Sequence, residues 1–346
     1  MKDLSEIHSL GRCHRTYMSL IEQNYLHQYS QWRTSVVLYL TDKHKHLSYR
    51  MMGWLHQLHY PTYSSDSSDT QYVFTVDDKS AVITNNSTFT RSRKLFISND
   101  AERTGVSLTI HSGSTITTTT NSNTIFTDGA DFTITNSGTI NADTSKAINV
   151  SKSDGVSITN NSGGVISSDG NTILGDAGTG ADNTTIVNSG KIFSTESGSE
   201  SSAIVVADND TGTTITNNAG GEIYSEGSSS TIILGVSSTL TNSGSIKNNK
   251  SVDTNVIQLK GNNNTVTLKD EGIVVGMIKA ANGTTGNTLK INHGVGRSYY
   301  YDTSGTFTLE DLDGNQVVKG SAGSVGQGGS EILDCLLYTS PSPRDS

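Results

Sequence analysis

Hydrophobic residues in this chain arrive in short pulses separated by small polar residues. The stretch TITNSGTINAD (133–143) carries Ile134 and Ile140, with Asn136, Ser137 and Gly138 at the break between them. Asn and Gly tolerate a left-handed backbone, so the stretch reads as strand, tight corner, strand. A hairpin would use the same turn residues. Recurrence separates the two readings. ITNNSGGVI (158–166), IVNSGKI (186–192), ITNNAGGEI (215–223) and LTNSGSI (240–246) follow, and ITNNSTF (83–89) and IHSGSTI (110–116) precede. The corner positions are Asn85, His111, Asn136, Asn160, Asn188, Asn217 and Asn242, at successive intervals of 26, 25, 24, 28, 29 and 25. A near-regular return of this size is the signature of a solenoid.

Each period holds three apolar pulses, as in FTIT (132–135), TINA (139–142) and KAINV (146–150). Three short strands joined by turns make one coil, which predicts an all-β fold, a right-handed parallel β-helix (β-solenoid). Alternation within each strand sends Ile, Val, Leu and Phe inward and Thr, Ser and Asn outward. β-branched Ile, Val and Thr suit pleated strands. Stacking then lines up Ile134, Ile158, Ile186, Ile215 and Leu240 as one internal column. The corner Asn residues form a second column, whose amides can bond along the axis as Asn ladders do. Gly138, Gly163, Gly190, Gly220 and Gly244 form a third, each supplying a positive φ at its corner. All three columns read as architecture, with no catalytic role.

The apolar fraction, 32%, is thin for a compact core but sufficient for a core one coil wide. No apolar run is long enough for a membrane-spanning helix. A formal charge of −9 disfavours nucleic acid and anionic lipid as partners, because both need clustered Lys and Arg. The chain divides into four parts. Residues 1–66 lack the repeat and hold seven of the nine His residues (8, 14, 27, 44, 46, 56 and 59) and both Trp residues. His44 and His46 there are the closest approach to a metal pair, but no carboxylate stands at a metal-like spacing. This part reads either as a solvated segment or as translation from a wrong upstream frame, and the abrupt change of composition favours the second. No secretory signal is visible in MKDLSEIHSLGRCHRTYMSL. Residues 67–293 are the repetitive body, and 294–334 its continuation. Residues 335–346, CLLYTSPSPRDS, match nothing before them, and their back-translation matches the end of a transposon-type sequencing adapter. The two Cys residues, Cys13 and Cys335, both fall outside the repeats, so the body carries no thiol chemistry.

Candidate chemistry in the body is sparse. It holds no G-x-S-x-G elbow, no phosphate-binding Gly loop and no Ca²⁺-binding nonapeptide. His111 falls in the corner column and reads as a solvent-facing turn residue. His293 follows the last coil with no evident partner. Asp208 with Asp210, and Asp311 with Asp313, resemble pieces of a Ca²⁺ loop but lack its full spacing and terminal Glu, so both read as solvated turns. No catalytic residue, metal site or cofactor is therefore expected. A carbohydrate-active β-helix enzyme would need clustered carboxylates. TITTTT (115–120) suggests an ice-binding-type face, which requires Thr-x-Thr over several coils, and the linear sequence displays it clearly once.

The repeated ITNSG-x-I pattern resembles the passenger region of autotransporters, the type V secreted proteins of Gram-negative bacteria. Two further segments are similar to the last passenger coils of that family: V-G-x-I at 275–278 and N-T-L-x-I at 287–291. SYYYDTSGTFTLEDLDG (298–314) resembles the passenger end that leads toward the translocator. The resemblance spans roughly residues 75–325. It implies a signal sequence before the passenger, an outer-membrane β-barrel translocator after it, and display or release outside the cell. The expected function is that of a structural or adhesive rod. It would act by contact with cell-surface glycans or proteins, or with other copies of itself.

Overall fold

The computed structural model describes residues 62–63, 72–74, 80–83, 87–92, 96–98, 104–175, 181–197, 201–251, 254–269, 272–292, 298–314, 319–320 and 330–334. All belong to the second of two compact units, Tyr60–Ser346. His44, His46, Asn85, His293, both Cys residues and residues 335–346 lie outside the described residues.

The unit is an all-β solenoid without helices among the described residues. Three sheets of eleven, eight and twelve described strands run along it, and successive strands of each sheet come from successive coils. Every coil-to-coil pairing from Thr62–Tyr63 to Thr308–Glu310 is parallel. The eight strands of the second sheet, from Thr88–Arg91 to Ile273–Val275, make seven coil steps, each the length of one sequence repeat. Parallel stacking runs past residue 293, since Thr308–Glu310 pairs with the Thr288–Asn292 strand. Among the described residues, antiparallel pairing enters only where Ser330–Asp334 meets Ser298–Ser304 and Lys319–Gly320.

Short strands suffice in the body because each places one or two side chains inside and the corner then turns. Three columns run through the inside. The first sheet contributes Leu108, Ile134, Ile158, Ile186, Ile215, Leu240, Val266 and Leu289 in direct register. The second contributes Phe89, Ile116, Ile140, Ile166, Ile192, Ile223, Ile246 and Val274. The third contributes Phe96, Ile125, Ile148, Ile173, Ile204, Ile232, Ile257 and Ile278. All are buried and form one continuous core. Stacking like on like lets each β-branched side chain keep one rotamer and still fill the space above its neighbour.

The corner between the first and second sheets holds the amide ladder. Asn136, Asn160, Asn188, Asn217 and Asn242 are fully buried, as the alternation of T-I-T-N requires, because Asn stands two places after the inward Ile. Each Nδ2 donates to the Oδ1 of the next, at 2.8 Å in all four steps. The same amides donate to strand-flanking carbonyls, such as Gly138 and Val165 from Asn136. The ladder is finite. Ile110 stands in register above Asn136, and Leu268 below Asn242. At its lower end Asn242 Nδ2 turns to the Gly244 and Ile273 carbonyls.

Two sequence expectations change at this corner. His111 does not occupy the Asn column. Register puts Ile110 there and leaves His111 exposed one place later, level with Ser137. At the rung above, Ile83 stands in register with Ile110. The glycines divide into two classes. Gly138, Gly190 and Gly244 end short corners, and their column continues through Gly164 and Gly221 rather than Gly163 and Gly220. What that column needs is closeness: a Cβ on Gly190 would stand 2.2 Å from the Gly164 carbonyl oxygen. Of the five glycines expected at positive φ, Gly163 and Gly220 have it, +80° each, and they sit in longer corners. Short and long corners alternate from coil to coil. Asn161 and Asn218 of the long ones donate to Ser137 and Ser189 of the short ones, at 2.9 Å each.

A further column has no single residue type to mark it. Two places before each first-sheet strand from Ser107–Ile110 to Thr288–Asn292 stand Gly105, Asp131, Gly155, Asn183, Gly212, Ser237, Asn263 and Gly286, all at positive φ. Where Gly follows an Asx residue in this column, the Asx oxygen takes the space a Cβ would need. Asp131 Oδ1 lies 2.5 Å from that point at Gly155, and Asn183 Oδ1 2.5 Å from it at Gly212. The one shared mark in the sequence is that each stands two places before the Ser or Thr that opens its strand.

Candidate functional site

Outward positions of the first sheet carry the most regular surface in the described molecule. Seven consecutive strands present Ser107 and Thr109, Thr133 and Thr135, Ser157 and Thr159, Thr185 and Val187, Thr214 and Thr216, Thr239 and Thr241, and Thr265 and Thr267. Thirteen of these fourteen positions bear a hydroxyl and none bears a charge. Thr133 is exposed and the other thirteen are partly exposed. The pairing is one to one with no register shift across all seven strands. Two hydroxyl columns therefore run side by side, about 7 Å apart along the strand and repeating every ~4.8 Å between strands. Thr-x-Thr occurs in three successive rungs, 214–216, 239–241 and 265–267. The linear sequence hid this face because a whole coil separates each of these segments from the next.

The outer face of the second sheet starts the same way and then departs. Thr88 and Thr90, Thr115 and Thr117, then Thr139 and Asn141 give way to Lys191 and Phe193, Glu222 and Tyr224, Ser245 and Lys247, and Ile273 and Val275. Phe193 and Tyr224 stack with centroids 4.6 Å apart and planes at 3°. Lys247 Nζ sits 5.4 Å from the Tyr224 ring centre, and Lys191 pairs with Glu222 at 3.2 Å. Partial burial, with Glu226 and Glu222 adding to it, raises the Tyr224 phenol above its ordinary range. Ile273 and Val275 are 49% and 38% exposed.

The two Asp pairs differ in kind. Asp208 is exposed and reaches Lys260 at 3.7 Å. Asp210 is wholly buried, which corrects its reading as a solvated turn. The chain turns there so that Asp210 Oδ1 accepts from the Ala181 amide at 3.1 Å and Oδ2 from the Ala207 amide at 3.2 Å. Burial is the main force raising its carboxyl above the usual range, and Asp182 and Asp154 add repulsion. Asp311 accepts from the Asp313 amide at 2.9 Å in an ordinary Asx turn. Among the described residues, no three His, Cys, Asp or Glu side chains are placed to hold a metal.

Comparison of the chain with protein-family models, with curated proteins and with solved structures gave no match.

Proposed function

We propose that the chain is the passenger region of a surface-displayed or secreted protein of the autotransporter kind, and that it acts by contact rather than by catalysis. The uncharged hydroxyl face of the first sheet is the contact surface, and cell-surface glycans are its partner. One observation carries this reading: thirteen hydroxyls on seven strands without a single charge, in a chain of net charge −9. β-branched Thr holds few rotamers, so ordering the face on binding costs little. Uncharged hydroxyls can exchange water for sugar hydroxyls without stripping an ion of its hydration. Each such bond is weak, and a periodic face sums many of them.

The test is binding of the purified full chain to immobilised cell-surface glycans and to whole cells, against a Thr216→Lys/Thr241→Lys variant. Saturable binding lost in the variant supports the reading. Cleavage of an acidic polysaccharide would replace it with an enzyme, and concentration-dependent assembly without glycan binding would replace it with self-association. An in-frame outer-membrane barrel downstream in the gene supports the passenger assignment, and a longer coding sequence lacking one sinks it.

The three stacked Thr-x-Thr rungs favour one second reading, an ice-binding face. Rigid rows of methyl and hydroxyl groups at a fixed two-dimensional spacing suit a lattice of ordered water. Ice recrystallisation inhibition by the full chain, lost in the same Lys variant, decides between the two.

A further inference from the structure

Behind the first sheet, where the two longest repeat intervals meet (Asn160 to Asn188 and Asn188 to Asn217), lies a cavity of about 10 Å³. Asp210 and Thr213 line it together with Gly175, Thr184, Ile186 and Val206. Gly175 keeps it open toward the acid, since a Cβ there would stand 2.7 Å from Asp210 Oδ2. Thr213 is 1% exposed, and its hydroxyl is the one buried side-chain polar atom without a hydrogen-bond partner among the described residues. Its counterpart one coil earlier shows what is missing. Thr184, level with it in register, donates to the Ala181 carbonyl at 3.0 Å. For Thr213 the carbonyl three places back belongs to Asp210, and that oxygen accepts from the Val236 amide at 3.0 Å.

An unpaired hydroxyl and a buried carboxyl therefore share one small space. Leaving such a hydroxyl unpaired is costly in a native interior. The volume is at the lower limit for one water, and the site offers the two polar partners a buried water needs at minimum. We propose that this cavity is a binding site for a single water molecule, which accepts from the Thr213 hydroxyl and bridges it to an Asp210 carboxyl oxygen. The bridge gives Thr213 the partner that Thr184 finds in backbone. It gives Asp210 a third polar contact beside its two amides, none of them a cation. The proposal is independent of the contact function.

The sign of one substitution tests it. Thr213→Val keeps the shape and removes the hydroxyl. If the water is present, the variant leaves it with a single protein partner. Amide exchange at Ala181 and Ala207 in the full chain then quickens and the unfolding temperature falls. If the cavity is dry, Val removes an unsatisfied group, and exchange slows or stays unchanged while the unfolding temperature holds or rises. The second result overturns the proposal. A high-resolution crystal structure of the unmodified chain decides the question even if the variant fails to fold. Density within hydrogen-bond distance of both Thr213 Oγ1 and an Asp210 oxygen supports the water. An empty cavity, or a metal ion with several short oxygen contacts, overturns it.

Discussion

The first and second sheets have nearly identical insides and very different outsides. Both bury a column of Ile, Leu, Val or Phe in direct register, and both turn at the same Asn ladder. On the outside, the seven first-sheet strands from Ser107 to Thr267 keep Ser or Thr at thirteen of fourteen positions, and charge enters on the two strands after them, where Lys290 pairs with Glu310. The second moves from Thr through Lys, Glu, Phe and Tyr to exposed Ile273 and Val275. The second sheet demonstrates that this solenoid tolerates charge, aromatics and aliphatics facing outward. Strand propensity therefore does not explain the uniformity of the first, since Val, Ile, Tyr and Phe serve a strand as well as Thr. The surplus regularity is what points to a contact role for that face.

Moving charge between the two faces is the strongest challenge to this distinction. Thr216→Lys with Thr241→Lys is expected to reduce glycan binding at least tenfold, roughly 1.4 kcal/mol or more. Thr117→Lys with Ser245→Lys on the second sheet should leave it within about twofold. Equal losses from both pairs would end the distinction.

Substitutions in the shared interior should act on stability instead. Asn188→Ala removes the acceptor of Asn160 Nδ2 and the donor to Asn217 Oδ1 together. Asn160 Nδ2 keeps the Gly164 and Lys191 carbonyls, so the main loss is the donor to the buried Asn217 Oδ1, which should cost about 1–3 kcal/mol of local stability, measured by amide exchange in the flanking coils. If binding by the first face collapses while the coils stay folded, the ladder does more than hold the corner.

The outer face of the second sheet should matter less, and only for stability. Phe193→Ala is expected to remove about 1 kcal/mol of ring stacking on Tyr224, beyond its loss of buried area, with binding unchanged. Lys191→Ala breaks a half-exposed pair with Glu222 and should cost under about 1 kcal/mol, falling further in salt.

Asp210 supplies a pH test that touches neither face. Its folded carboxyl binds its proton more tightly than the unfolded one, chiefly because burial disfavours the charge. The stabilisation this gives is complete below the unfolded-state value and is lost as pH rises through the higher folded-state value. Asp210→Asn should flatten the stability profile between those two values and leave glycan binding as it was. A profile as steep as in the unmodified chain would mean that another group carries the slope.

Much of the fold was legible because a solenoid repeats its local chemistry. Ile134, Ile158, Ile186, Ile215 and Leu240 could be aligned by eye, each lying one place inside a T-I-T or T-L-T-like triplet. Register was not legible at the irregular corners. The step from Asn188 to Asn217 is longer than that from Asn136 to Asn160 because the turns between strands differ in length. An eye that follows Asn and Gly then slips by one place, as at His111 for Ile110 and Gly163 for Gly164. The column at positive φ was missed for a related reason. Gly, Asp, Asn and Ser look unlike one another until their shared backbone angle is seen.

The period, the three strands of each coil and the aliphatic columns follow from alternation and local turn chemistry alone. Which residue stacks on which is set by folding of the coils onto one another. That folding buried the Asn amides, drew Asp210 inside, and joined Thr214, Thr239 and Thr265 into one row. Those outcomes rest on hydrogen bonds between strands a whole coil apart in the chain, where linear spacing carries no register and backbone pairing does.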